Sequence, residues 1–320
     1  MSARLILAVP SKGRLQEQTA AFFADSGLAI SQTGGARGYG ARISAAPEIE
    51  VRLASAGDIA RALADGEIDL GVTGEDVLRE AAGGGPAAPI RVKPLGFGGA
   101  DLVVGVSTAW LDVETVADLI AVAAEVRLSH GRPLRIATKY HRQARDFFAG
   151  HGFADYRLVD SAGATEGAPA AGAADAIVDI TTTGATLSAN GLKILSDGVI
   201  LKSQACLFAR HGAWSAAQKA AALALLHPIE ARAAAKATRL LSAARPAPKA
   251  ALAQLAALGC RSSDDGRQFH CPSGQLSAAV TVLQTHACAP ISVAAPDFVF
   301  QDATEVLQEF FSALDDFTPA

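Results

Sequence analysis

The chain has 320 residues, half of them hydrophobic and 19% charged, a length and balance that suit a folded globular protein of two or three domains. Its net charge of −4 argues against a nucleic-acid or anionic-membrane surface, which would need a basic face, so any phosphate it holds is held locally. The opening MSARLILAVPSKGRL has one arginine and a short apolar run before Pro10 and Lys12, which is neither a secretory signal nor a membrane span. Cys206, Cys260, Cys271 and Cys288 form no C-x-x-C pair, which suits a reducing, cytoplasmic setting. Cys260, His270 and Cys271 lack a usual metal-ligand spacing and read as ordinary residues.

Taken in chain order, short apolar runs recur at Leu5–Val9, Ile49–Leu53, Leu70–Thr73, Leu102–Val106, Leu134–Ala137, Tyr156–Val159, Ala176–Ile180 and Gln204–Ala209. Between them Leu15–Ser26, Asp58–Asp65, Val113–Val126 and Gln143–His151 have helical character, several starting after Ser, Thr or Asp and stopping near Gly. Strands alternating with helices predict an α/β architecture with mainly parallel sheets. After Arg210 the texture changes. Trp214–Ala244 reads as helical with an interruption at Pro228, and Ala244–Pro248 (ARPAP) reads as a linker. Beyond it the pattern predicts helix Lys249–Leu258, strand Gln268–Cys271, helix Ser273–His286, strand Ile291–Ala294 and a last helix near Thr304–Leu314, a small separate α+β domain.

Three strand-to-helix turns carry anion-friendly chemistry. Pro10–Leu15 (PSKGRL) sets two cations beside a glycine at the edge of the first strand, where open α/β sheets bind ligands. Asp69–Leu78 (DLGVTGEDVL) repeats the pattern, with Asp76 expected to cap the next helix and Arg52 expected on the same rim. In Asp175–Leu187 (DAIVDITTTGATL) a buried strand ends in three threonines and a glycine. Such a turn can aim N–H groups and hydroxyls at one point as an anion nest, with a helix expected near Ser188–Leu192. Asp179 cannot usefully touch phosphate, but it can accept from two ribose hydroxyls or hold Mg²⁺. For each turn the alternative is a solvated loop that merely caps a helix. Three together point to a polyphosphate or a nucleotide with a second phosphorylated substrate.

With Leu95–Asp101 (LGFGGAD), Ile136–Tyr140 (IATKY), Gly163–Pro169 (GATEGAP) and Ala174–Leu192 (ADAIVDITTTGATLSANGL) added, six blocks in order between about Leu5 and Arg210 resemble the ATP phosphoribosyltransferase family, the first enzymes of histidine biosynthesis. The resemblance implies a two-lobed core like the type II periplasmic binding proteins, with the active site in the cleft. Lobe I would comprise residues 1–104 and 197–215, lobe II 105–196, connecting helices 216–243, and a C-terminal ferredoxin-like α+β domain 244–320. It implies a pentosyltransferase in which N1 of ATP's adenine displaces pyrophosphate from C1 of phosphoribosyl pyrophosphate, with Mg²⁺ carried by the substrates. Asp179 is then the one protein group offered to the metal. In the implied site, Asp179 and Glu166 take the ribose hydroxyls, and Thr181, Thr182, Thr183, Gly184, Ala185, Thr186 and Leu187 form the phosphoribosyl-binding turn. Lys12, Gly13, Arg14 and Arg52, with Arg37 from a loosely aligned Gly-rich stretch and the Thr73–Gly74 turn, meet pyrophosphate or ATP, Arg14 and Arg52 counting among the catalytic groups.

Long-form members add a C-terminal domain that binds histidine as feedback inhibitor, and short forms need a partner related to histidyl-tRNA synthetase. The extension here has long-form size without the usual long-form residues, so catalysis without that partner is expected, in a homo-oligomer, dimer or hexamer. Two rivals stand beside this. A type I phosphoribosyltransferase acting on a free base also places acids before T-G-x-T, though usually two adjacent ones. A non-catalytic solute-binding protein would share the lobed architecture but not the retained phosphoribosyl turn.

Overall fold

A computed structural model describes residues 4–33, 40–83, 85, 88–161, 163–302 and 304–315; Arg37 lies outside them. The first sheet gathers β1 (Leu5–Pro10), β2 (Ile30–Thr33), β3 (Gly40–Ile43), β4 (Ile49–Ala54), β5 (Leu70–Gly74) and β6 (Ile90–Pro94), with helices α1 (Gly13–Asp25), α2 (Ala56–Ala64) and α3 (Glu75–Ala82) between them. The chain then crosses to a second sheet. There β7 (Ala100–Ser107), β8 (Leu134–Thr138), β9 (Tyr156–Asp160), β10 (Ala176–Thr181) and β11 (Leu192–Ser203) alternate with α4 (Val116–His130), α5 (His141–Gly150) and the one-turn α6 (Ala185–Ala189). It returns through β12 (Ala205–Ala209), which slots into the first sheet in the order β2-β3-β4-β1-β5-β12-β6.

This is the two-lobed, twice-crossed core of a type II periplasmic-binding-protein-like fold. Its sheets are mixed rather than mainly parallel. β1 pairs in parallel with β4 and β5, and β8 with β9 and β10. Each crossing, however, adds antiparallel strands: β12 against β5 and β6, and β7 against β10 and β11. β7 and β11 belong wholly to the second sheet, so residues 104/105 and 196/197 fall inside strands, and the crossings lie after Pro94 and at Gln204.

Local chemistry explains some of the boundaries. A Thr115–Asp118 capping box opens α4 and Gly131, at φ 67°, closes it. A Ser215–Gln218 box opens α7 (Ala216–Lys236), which runs through Pro228 because its face, including Leu225, Leu226 and Ile229, is buried against lobe I. The stretch expected to stay helical to Ala244 instead turns extended at β13 (Thr238–Ala243). There Leu241 and Ala243 alternate inward, and pairing with two neighbours overrides Ala/Leu helix propensity.

β13 is the first strand of the small domain, followed by α8 (Lys249–Ala257), β14 (Arg261–Ser262), β15 (Gln268–Pro272), α9 (Leu276–Thr285) and β16 (Ile291–Ala294). The sheet order β14-β15-β13-β16 with this βαββαβ sequence is ferredoxin-like. Ala244–Pro248 is therefore a loop within that domain rather than a linker to it: Ala244 N donates to Pro290 O and Ala247 N to Gly266 O. Leu283, with the partly buried Leu276 and Val280 beside it, packs into the small domain's own core. The last helix, α10 (Glu305–Asp315), returns to lobe I, where Leu307, Phe310 and Leu314 enter the core and Phe310 meets Trp214 edge to face. Among the described residues no helix is long and apolar enough to cross a membrane.

Candidate active site

The C-terminal half of β8 pairs in parallel with the start of β10, Ile136 opposite Ala176 and Ala137 opposite Ile177, so β10 runs on past the end of β8 toward the C-terminal edge, where an α/β sheet offers its ligand site. Asp179 stands near the end of β10, only 9% exposed, its Oδ1 without a hydrogen-bond partner. A buried carboxylate oxygen left open is costly unless something binds there. Glu166, on a single 3-10 turn at Thr165–Gly167, lines the same pocket of about 430 Å³ together with Thr181, Thr182, Thr183, Thr186 and Leu187.

The turn is organised by its own hydroxyls. Thr181 Oγ1 accepts from Gly184 N at 2.9 Å and Thr183 Oγ1 from Ala185 N at 3.4 Å. Gly184 has φ 73°, so the chain reverses into α6 at Ala185, three residues earlier than the sequence pattern suggested. A Cβ there would meet Ile194 at an ordinary 3.7 Å; the left-handed φ, not lack of space, calls for glycine.

Lys139, which sequence reasoning did not single out, also lines this pocket, with its ammonium 3.7 Å from Asp179 Oδ1. Its neighbour Tyr140 is 4% exposed and donates its OH to Asp76 Oδ2 of lobe I at 2.7 Å. Burial foremost, then the Asp76 carboxylate, push the phenol far above its ordinary range, so it is always the donor. Ser203, at the return crossing, donates to Asp76 Oδ1 at 2.7 Å and accepts from Asp76 N at 3.1 Å. Gln143 on α5 donates to Asp76 O at 2.9 Å. Asp76 is thus the polar centre of the contact between the lobes, and not the cap of α3, whose N-cap is Gly74. A Cβ at Gly74 would collide with the Asp76 carboxylate.

A second cavity, of about 290 Å³, lies in the cleft between the lobes and shares Ala100 and Thr182 with the first. Arg14 and Gly74 line it. Lys12 and Gly13 sit at the start of α1, whose first turn carries no acid and no side-chain cap, so its N–H groups and two exposed cations favour an anion. Thr73 is fully buried and donates to Ala56 O at 3.0 Å. Arg52 lies on the exposed face of β4, its Nε 2.8 Å from Glu50, and lines neither cavity. Among the described residues no three His, Cys, Asp or Glu side chains converge as a metal cage.

The family model described as ATP phosphoribosyltransferase matches residues 55–231. The chain is 49% identical over 318 residues to an ATP phosphoribosyltransferase of Caulobacter vibrioides, covering 98% of this chain and 99% of that one. To one of a Bradyrhizobium species it is 47% identical over 308 residues, with 93% and 95% covered. Both matches run through the C-terminal region that the sequence blocks left unmatched. In structure the chain is similar to the ATP phosphoribosyl transferase (HisG:HisZ) complex from Thermotoga maritima, with a TM-score of 0.53 at 24% identity over 71% of this chain and 96% of that one, a likeness of fold. The chain belongs to the ATP phosphoribosyltransferase family.

Proposed function

We propose that this chain joins ATP to phosphoribosyl pyrophosphate, giving N1-(5-phosphoribosyl)-ATP and pyrophosphate, the first step of histidine biosynthesis. The observation that carries the assignment of the site is the open, buried Asp179 Oδ1 beside Glu166 and the Thr181–Leu187 turn, in a pocket that abuts the Arg14 cavity. The turn receives the 5′-phosphate, and the two carboxylates accept from the ribose hydroxyls. ATP enters from the second cavity, with Arg14, Lys12 and the α1 N-terminus on its phosphates and N1 directed at C1.

Displacement at C1 passes through an oxocarbenium-like ribose, so the protein's task is to position two substrates and to stabilise charge; it supplies no nucleophile. Asp179 offsets the positive charge that develops on the ring. Mg²⁺ suits this site as a companion of the substrates' phosphates, since among the described residues no three His, Cys, Asp or Glu side chains form a cage; Asp179 Oδ1 is the oxygen that fits it. Held there with the substrates, the ion would supply positive charge to their phosphates. Arg52, engaged with Glu50, and Arg37 are assigned to the ATP and pyrophosphate phosphates on the resemblance alone.

The ferredoxin-like domain carries helices on one sheet face, and the other, with Ser242, Gln268 and His270, is the face we assign to subunit contact and to histidine as inhibitor. The activity is tested by incubating purified protein with ATP, phosphoribosyl pyrophosphate and Mg²⁺ and following pyrophosphate release together with the ultraviolet change of N1-ribosylated adenine. Release that requires a free purine or pyrimidine in place of ATP would overturn the assignment.

A further inference from the structure

Lys139 is the single lysine or arginine among the described residues lining the phosphoribosyl pocket, which also holds two carboxylates, Glu166 and Asp179. The threonine turn supplies neutral donors, enough for one phosphate, but the substrate brings a second anionic group at C1. In lobe I, Arg14 lines the neighbouring cavity and Arg52 pairs with Glu50. Among the described residues lining this pocket, Lys139 is therefore the one protein cation placed to meet the leaving group, beside the metal that the substrates carry.

Its placement suits that task. Continuing the β8–β10 register by two residues sets position 139 opposite 179, at the edge where ligands bind. The backbone there is fixed from the next residue: Tyr140 N donates to Thr138 Oγ1 at 2.9 Å, and the Tyr140 hydroxyl is tied to Asp76 of the other lobe. The side chain is loosely held, half exposed at 53%, and 3.7 Å from Asp179 Oδ1, longer than a well-formed hydrogen bond. A compact ammonium on a flexible stem can change partners while its backbone stays fixed.

We propose, resting on the reading of this pocket as the phosphoribosyl site, that Lys139 is a further catalytic residue: its ammonium leaves Asp179 for the pyrophosphoryl group of the bound substrate and carries the charge of the leaving group. The C1–O bond breaks with its electron pair going to pyrophosphate, and the N1 lone pair forms the new bond to C1. Lys139 transfers no proton; it contributes by ion pairing. Its departure frees Asp179 for the ribose as positive charge develops there. Displacement puts nucleophile and leaving group on opposite faces of C1, in accord with Lys139 lining the phosphoribosyl pocket and not the Arg14 cavity.

The test compares Lys139→Met and Lys139→Arg with the wild-type chain in both directions, measuring ATP and phosphoribosyl pyrophosphate kinetics forward and pyrophosphate kinetics in reverse. Lys139→Met is expected to lose ~10²-fold in kcat and to raise the KM for pyrophosphate by ~10-fold, with the KM for ATP unchanged and most activity restored by arginine. A Met variant with wild-type pyrophosphate KM overturns the proposal whatever its kcat, because the lysine would then serve Asp179 alone. A change confined to the KM for ATP overturns it as well. A wild-type chain that makes no product would instead remove the reading of the pocket.

Discussion

Two turns built on the same local grammar meet different fates. In lobe II, strand β10 runs out through Thr181–Thr183 and Gly184 into α6, and its polar groups face a pocket where Asp179 keeps an open oxygen. In lobe I, strand β5 runs out through Thr73 and Gly74 into α3, yet the polar groups there are consumed internally. Thr73 serves Ala56, Glu75 holds Arg79 at 2.6 Å and Arg91 at 3.4 Å, and Asp76 is bound by Ser203 and Tyr140. The difference lies in the residues after the glycine. Two acids in the first turn of α3 already supply negative charge to the helix N-terminus, which disfavours phosphate there. Ala185 and Thr186 after Gly184 bring no charge. One turn is left open to a ligand, the role we propose for it; the other joins the lobes.

The largest expected effect separates these roles at the acids. Asp179→Asn should lower kcat by ~10²-fold or more while leaving the melting temperature nearly unchanged, because it removes charge where the transition state needs it. Near wild-type turnover in a folded variant would end the assignment. Asp76→Ala should do the converse and act first on stability. It leaves the buried Tyr140 and Ser203 hydroxyls without their acceptor, at a cost of about 2–3 kcal/mol read from chemical denaturation. If that variant melts like wild type, the contact between the lobes does not depend on Asp76.

Gly184→Ala sharpens the comparison at the turn. A non-glycine residue at φ 73° is strained by about 1–2 kcal/mol, and relief of that strain would reshape the turn. Calorimetric titration should show weaker phosphoribosyl pyrophosphate binding with ATP binding little changed; unchanged affinity would reduce the turn to a helix cap. The smallest effect is electrostatic and lies away from both turns. Hydrogen bonds from Arg232 and then Lys236 lower the Asp25 carboxyl from 3.8 to about 2. Its folded pKa lies below the unfolded one, so its contribution is present above pH 3.8 and is lost as pH falls toward about 2. Thermal melts across that window should lose part of their slope in Asp25→Asn, and an identical slope would show that the pair contributes nothing.

Much of the fold and of the candidate site is legible in the sequence because it is local. The threonine-glycine turn, Asp179 and the alternation of strands and helices are short patterns with a physical meaning at each position. The features that are not legible depend on partners far along the chain. Tyr140 meets Asp76 across 64 positions, and Lys139 gains its partner only from the pairing of β8 with β10. β11, LKILSDGVILKS, carries a Ser-Asp-Gly stretch of the kind that ordinarily marks a loop, and a register shift between Ile194 and Val199 carries it through as one strand. The return of α10 to lobe I is hidden likewise, since its apolar face names no destination. Removing that helix would strip Leu307, Phe310 and Leu314 from the lobe I core, so truncation of the C-terminal region disturbs more than the small domain.

The most direct test of the division between the turns is a crystal structure of the wild-type chain with phosphoribosyl pyrophosphate and Mg²⁺. The account predicts the 5′-phosphate within hydrogen-bond reach of the Thr181–Leu187 turn, the ribose hydroxyls on Asp179 and Glu166, and the Asp76–Tyr140 contact intact. A 5′-phosphate seated at Thr73–Gly74, with Asp179 facing only solvent, would contradict it.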